Sequence, residues 1–280
     1  MKRFLTVVVA GFLLSCAPLK NSPFSEETES SASNLNQQNL GLLKSSPFFT
    51  EPPQEIVLGV FADSHQNYAA LEDWVRDANT MSFDFAVSLG DFTNQGLNFE
   101  YDVYLNLTAP LKTPLITVIG NHDSVAKGKL LYKRLFGPYN FHFDHKGYRF
   151  VIFNNNRLDF IDEGIDWDWL AKEVRLSPLP VVLLMHVDPD NNEYFTEKDK
   201  DLFWDTVRDS SVRLIMNGHK HIYHTETKEG ILRHQVERLE RGRWSRITLR
   251  EDNILVEQCL RKDCRYGIQQ DYHPDIQPLE

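Results

Sequence analysis

Eight residues in five short clusters have side chains suited to metal or proton chemistry. They are Asp63 and His65, then Asp91, then Asn121 and His122, then His186, then His219 and His221. The set combines carboxylates, an amide oxygen and imidazoles, and it contains no thiolate. Mixed nitrogen and oxygen donors suit zinc, manganese or iron, and not copper(I) or an iron–sulfur cluster. Asp63 and His65 are two apart, so on an extended segment both can face one cation. Asp91 has two oxygens and can bridge two cations. His122 can move a proton near neutral pH. Taken singly, each residue has an ordinary explanation as a turn aspartate, a helix cap or a half-buried strand histidine. Taken together they follow five separate apolar runs, and chance does not readily produce that.

Those runs are the elements that must position the clusters. Ile56–Phe61, 83–89, 115–119, 180–185 and 212–216 are apolar and largely β-branched, which predicts buried strands. Gly120 ends the third run and permits a sharp turn into Asn121. Helices are expected between the strands. Leu71, Trp74, Val75 and Ala78 share one helical face. Further helices are predicted over 99–107, 129–136 and 165–174. Thr196 is placed to cap another that runs to Arg208, with Asp199 in the supporting position. Two aromatic strands around 140–143 and 148–154 form a hairpin about His145, Lys146 and Gly147. The stretch 222–257 alternates and predicts short antiparallel strands. Alternating strands and helices argue for an α/β core. Open α/β sheets place their sites at strand C-terminal ends, where all five clusters lie.

The chain has 280 residues and a net charge of −10, which does not fit a duplex nucleic-acid binder. Lys2 and Arg3 precede an apolar stretch from Phe4 to Leu14 that is too short to span a bilayer stably. Leu13-Leu14-Ser15-Cys16 follows and looks like a bacterial lipobox, so residues 1–15 are expected to be removed and Cys16 lipidated. The alternative is an ordinary signal peptide with a chance cysteine. Ala17 stands where an inner-membrane retention signal has aspartate, so the expected location is the cell envelope, anchored at the outer membrane. Residues 16–53 are polar and aperiodic and predict a flexible tether, with Leu40, Leu42, Leu43, Phe48 and Phe49 available to dock on the body. Residues 54–280 are expected to form one domain. Cys259 and Cys264 remain in a compartment that permits a disulfide; two free thiols are the alternative.

The series Asp63-x-His65, Gly90-Asp91, Gly120-Asn121-His122-Asp123, His186 and Gly218-His219-x-His221 closely resembles the calcineurin-like metallophosphoesterase family, in motif content and in order. The resemblance implies a two-sheet β-sandwich flanked by helices, with a dinuclear centre of two divalent or trivalent ions (Mn, Fe or Zn). By position, Asp63, His65, Asp91 and His221 would hold one ion. Asp91, Asn121, His186 and His219 would hold the second, and His122 would be the catalytic proton donor. The implied reaction is hydrolysis of a phosphate ester by a hydroxide bridging the two ions. One departure stands out: Asn94 occupies the place where protein serine/threonine phosphatases have an aspartate. This weakens a protein-phosphatase reading and makes Asn94 a candidate contact for substrate phosphate. A phosphodiesterase or nuclease of the same fold, and a metal-binding envelope protein without turnover, are the alternatives. The sequence assigns no oligomeric state.

Overall fold

A computed structural model describes residues 22, 24–45 and 55–271. The expected signal peptide, Cys16, Phe48 and Phe49 lie outside the described residues. Among the described residues, twelve strands form two six-stranded sheets. The first has β1 (Ile56–Phe61) and β2 (Phe85–Ser88) beside β3 (Leu115–Thr117), with β10 (Arg243–Leu249), β11 (Asn253–Leu260) and β12 (Asp263–Asp271) on the other side. The second contains β4 (Phe141–His145), β5 (Tyr148–Ile152), β6 (Val181–Leu184) and β7 (Val212–Asn217), then β9 (Ile231–Gln235) and the edge strand β8 (His224–Lys228).

Strand alternation builds the layers. Leu58 and Val60 of β1, Phe85 and Val87 of β2, Phe150 and Ile152 of β5, and Leu214 and Met216 of β7 all meet in one core between the sheets. The outer face of the first sheet is covered by α2 (Tyr68–Ala78), α3 (Asn98–Thr108) and α4 (Gly128–Leu135). The outer face of the second is covered by α5 (Trp167–Arg175) and α6 (Glu197–Arg208). The predicted cap on α6 is present. Thr196 Oγ1 accepts from the Asp199 amide, and Asp199 Oδ2 accepts from the Thr196 amide at 2.9 Å. The two-sheet sandwich implied by the resemblance is the observed fold. A single doubly wound sheet, which strand–helix alternation alone would suggest, is not what forms.

Two expectations need correction. The tether drawn over 16–53 is not a tether throughout, because α1 (Leu35–Ser45) folds within it. Leu40 and Leu43 are buried in the inter-sheet core, while Leu42 is exposed. Asn36 also pairs with the edge of β3, donating to the Thr117 carbonyl at 3.0 Å and accepting its amide at 2.8 Å. The expected docking of Leu40 and Leu43 is present; what a polar sequence hides is the helix itself and the side-chain amide that satisfies the open strand edge. The second correction concerns the strands after residue 222. β8 and β9 pair antiparallel, but β9 joins β7 in parallel. Period-two alternation shows which face is buried and carries no information about the partner strand.

Candidate metal centre

Each cluster follows a strand that ends at the same edge. β1 leads to Asp63 and His65, β2 to Asp91, β3 to Asn121 and His122, β6 to His186, and β7 to His219 and His221. The turns are unusual. Asp63, His65, Asp91, His219 and His221 all have positive φ, between 41° and 73°. Non-glycine residues rarely adopt this region, and such strain concentrates at functional sites. Cross-strand bonds hold the strained turns in place. The Asp63 amide donates to the Gly90 carbonyl, and the His65 amide to the Asp91 carbonyl, both at 3.0 Å. Gly120 allows close approach: a Cβ there would come within 2.2 Å of Asp91 Oδ1.

The seven expected ligands converge. Asp63, His65 and His221 form one group of donor atoms, and Asp91, His186 and His219 form another. Asp91 Oδ2 stands 3.1 Å from His186 Nε2 and 4.0 Å from His65 Nε2, so one oxygen faces both groups. Oδ1 of the same carboxylate is already engaged, accepting the His122 amide at 2.9 Å. Asn121 Oδ1 lies 3.1 Å from His186 Nε2 and 3.0 Å from His219 Nδ1. His221 Nε2 lies 3.4 Å from Asp63 Oδ1.

The outer contacts fix which imidazole nitrogen faces inward. His65 Nδ1 sits 3.1 Å from the Thr93 carbonyl, and His186 Nδ1 sits 2.7 Å from the Leu89 carbonyl. A carbonyl only accepts, so each Nδ1 carries hydrogen and Nε2 is left for a ligand. His122 Nδ1 is likewise 2.8 Å from the Asn94 carbonyl. Its ring meets His65 edge-on at 4.8 Å, and its donor atom falls within a group that includes His65 and Asp91.

Asp123 underlies the arrangement. It is fully buried and accepts from the amides of Asp91, Gly120 and Thr93 at 2.8–2.9 Å, and from Thr93 Oγ1. Burial, followed by the nearby Asp91 charge, pushes its carboxyl up to about 7 despite those donors.

Buried carboxylates and imidazoles shift one another strongly at this site. Burial works against the Asp91 charge, but His186, His122 and His65 outweigh it and hold the carboxyl well below its usual range. Burial would lower His186 too, yet Asp91 raises it to about 10. Burial, and then the His186 charge, lower His219 to about 4. Nitrogen and hard oxygen donors around a buried carboxylate fit divalent or trivalent ions of the zinc, manganese and iron group.

Several contributors carried no sequence signal. Thr93 and Leu89 act through main-chain carbonyls, which any residue supplies. Tyr194 packs edge-on against His219 at 4.9 Å and donates to Asp159 at 3.4 Å. Asp188 follows His186 closely and is paired with Lys220 at 2.5 Å and with buried Arg233 at 2.6 Å. Asn94 is brought beside His122, but the observed contact is its backbone carbonyl and not its side chain. Cys259 and Cys264 face each other across β11 and β12, bonded at 2.01 Å.

Comparison with known proteins agrees with this geometry. No curated protein matches the chain. The fold is similar to that of purple acid phosphatase PPD1 from yellow lupin (Lupinus luteus) seeds, with TM-score 0.58 and 14% identity over 78% of this chain and 53% of that one. It is also similar to GAP50, the anchor in the inner membrane complex of Plasmodium, with TM-score 0.58 and 10% identity over 79% and 89% of the two chains. A third similar structure is PhoD, with TM-score 0.53 and 9% identity over 79% and 69%. At these identities the likeness concerns the fold. The family model of the calcineurin-like phosphoesterases matches residues 56–223, which contain every residue of the centre, and the chain belongs to that family.

Proposed function

We propose that this protein is a metal-dependent phosphoesterase anchored by lipid at Cys16 in the bacterial cell envelope, at the outer membrane. The observation that carries the enzymatic reading is Asp91 Oδ2 facing two donor groups at once, with His122 beside them. Asp63, His65, Asp91 and His221 would hold one cation, and Asp91, Asn121, His186 and His219 the other. Bound there, the cations supply Lewis acidity toward phosphoryl oxygens and a nucleophile at neutral pH.

The remaining chemistry belongs to the chain. The Asn94 carbonyl fixes His122 through Nδ1 and leaves Nε2 to hold the proton for the departing ester oxygen. Asp123 braces the turns that carry Asp91 and His122. The Asn94 side chain stands at the same turn as a candidate contact for substrate phosphate.

The test is His122→Ala on matched aryl and alkyl esters, with monoester and diester versions of each. General acid catalysis is worth about 10²–10⁴-fold, so the alkyl esters should lose on that order. The aryl esters, whose leaving groups need little protonation, should lose much less. Equal losses on both contradict the role of His122. Absence of any metal-dependent hydrolysis in the wild type would favour a binding protein on the same fold.

A further inference from the structure

We infer that the rim of the metal centre lies against the lipid surface holding Cys16, and that the substrate is a phosphate ester carried by a membrane amphiphile. This deepens the proposal above and rests on both its parts, the lipid anchor and the phosphoester chemistry.

The first argument is reach. The Ser22 carbonyl accepts from Asn98 Nδ2 at 3.2 Å, and the Glu27 carbonyl accepts from the same nitrogen at 2.8 Å. Asp102 accepts the amides of Glu29 and Ser30 at 2.9 and 3.2 Å, and Glu26 pairs with Lys127 at 3.1 Å. The chain is therefore pinned to the start of α3 and to the segment just after His122. Six residue steps separate Cys16 from Ser22. Fully extended, they span at most about 20 Å. Asn98 is four residues from Asn94, whose carbonyl holds His122. An acyl chain on Cys16 is therefore tethered within about 20 Å of the start of α3, the element that follows the Asn94 loop.

The second argument is the surface found there. Phe24, Phe99, Val125, Leu130, Leu158 and Ile161 are exposed, Phe24 by 63% and Ile161 by 74%. They come from four segments that are tied together around the His122 turn. Glu26 binds Lys127, Lys129 binds Glu163 at 3.2 Å, and Lys129 also sits 4.4 Å over the Phe160 ring. Exposed apolar side chains on linked segments fit a surface that meets another apolar phase. Next to Ile161 opens a groove of about 480 Å³, lined largely by Leu158, Phe160, Ile161, Ile165 and Trp167. Its loop also carries Asp159, which binds Tyr194 against His219. The groove is mainly apolar, with Arg157 and Asp199 paired at 3.4 Å on its rim, and it connects to the centre through Asp159 and Tyr194. Lys127 and Lys129 each pair with a glutamate, so the charge beside the apolar side chains is partly balanced.

The test uses the full-length protein, made in a lipidating bacterial host and reconstituted in phosphatidylcholine vesicles. A nitroxide is placed at Ile161→Cys and, as reference, at Glu251→Cys. Glu251 lies at the opposite end of the first sheet, next to the turn where Leu249 pairs with Ile56. Oxygen dissolved in the lipid should relax the first label several-fold more than a water-soluble nickel chelate does, with the reverse at Glu251. Phosphatidic acid and phosphatidylglycerol are then compared as long-chain lipid in the vesicle and as dissolved short-chain analogues. Turnover should favour the long-chain form of the better ester by at least about tenfold.

The failures separate. An acylated Cys16 by mass, with an Ile161 label as water-exposed as Glu251, overturns the apposition and leaves the anchor standing. An unmodified Cys16 overturns the anchor and this inference with it. A label shielded from both relaxants means a protein covers the patch and contradicts the inference. Equal or lower turnover of the long-chain ester overturns the substrate class while the phosphoesterase reading survives.

Discussion

Glu100→Gln should slow the enzyme without touching a metal ligand. Glu100 is buried at the first turn of α3. Its Oε1 accepts the Asn94 amide at 3.1 Å and Gln66 Nε2 at 2.9 Å, and its Oε2 accepts the amides of Gln95 and Leu97 at 3.0 Å. The loop so organised presents the Asn94 carbonyl to His122. Glutamine keeps the shape, removes the charge and turns one oxygen into a donor. The cheaper orientation puts the new NH₂ at Oε1, because Gln66 can turn its own amide to match. The Asn94 amide then faces a donor. One charge-assisted bond is lost, worth about 1.5–3 kcal/mol, and the three that remain, to Gln66, Gln95 and Leu97, become neutral and weaker. The loop should therefore lose roughly 2–4 kcal/mol of local stability, felt as a loosened His122. With a general acid worth about 10²–10⁴-fold, partial misplacement should cost about 10–100-fold in kcat on an alkyl phosphate. Activated aryl esters should lose only about threefold, because they depend less on the acid. Steady-state kinetics on both substrates, with metal content measured alongside, is the assay. Equal losses on both esters, or loss of metal, would refute the reasoning.

Two further predictions concern stability. His234 is buried between the Thr225 and Ser245 hydroxyls at 2.8 Å, and burial lowers its imidazole to about 3. Its unfolded value lies near 6.5, so below that pH the unfolded chain binds a proton that the folded chain does not. Stability should therefore fall by about 2 kcal/mol from pH 7 to pH 5 through this residue. Urea unfolding of His234→Gln should show a correspondingly flatter pH dependence, and an unchanged slope counts against it. Cys264→Ser opens the short β11–β12 loop closed by the disulfide and should cost about 2 kcal/mol on the chain-entropy scale. Alkylation mass spectrometry and melting of the mature protein check it; two free thiols in the wild type would remove the premise.

The legible part of the molecule is the part where side-chain type carries the message. Asp63, His65, Asp91 and the other donors follow apolar runs, and each run is a strand at the expected place. What could not be read is the part built from main chain. The carbonyls of Leu89, Thr93 and Asn94 orient His186, His65 and His122, and no residue type is required for that. Pairing across the sandwich was equally hidden. Strand alternation places Leu58 and Phe150 inward but does not say that they meet in one core between two sheets; that came from family resemblance. The docking of Leu40 and Leu43 was legible, but α1 and its Asn36 and Asn39 amides on the β3 edge were not, because such residues read as linker composition.

In the proposed assignment Asp91 serves two cations and His122 serves none. Metal titration of apo protein, read by calorimetry and elemental analysis, tests it without any substrate. The wild type should bind two cations per chain. Asp91→Ala should lose the paired binding, because both donor groups share its Oδ2. His122→Ala should still bind two, since the seven proposed ligands all remain. One cation in the wild type, an Asp91→Ala variant that still binds two, or a His122→Ala variant that loses one would contradict the account.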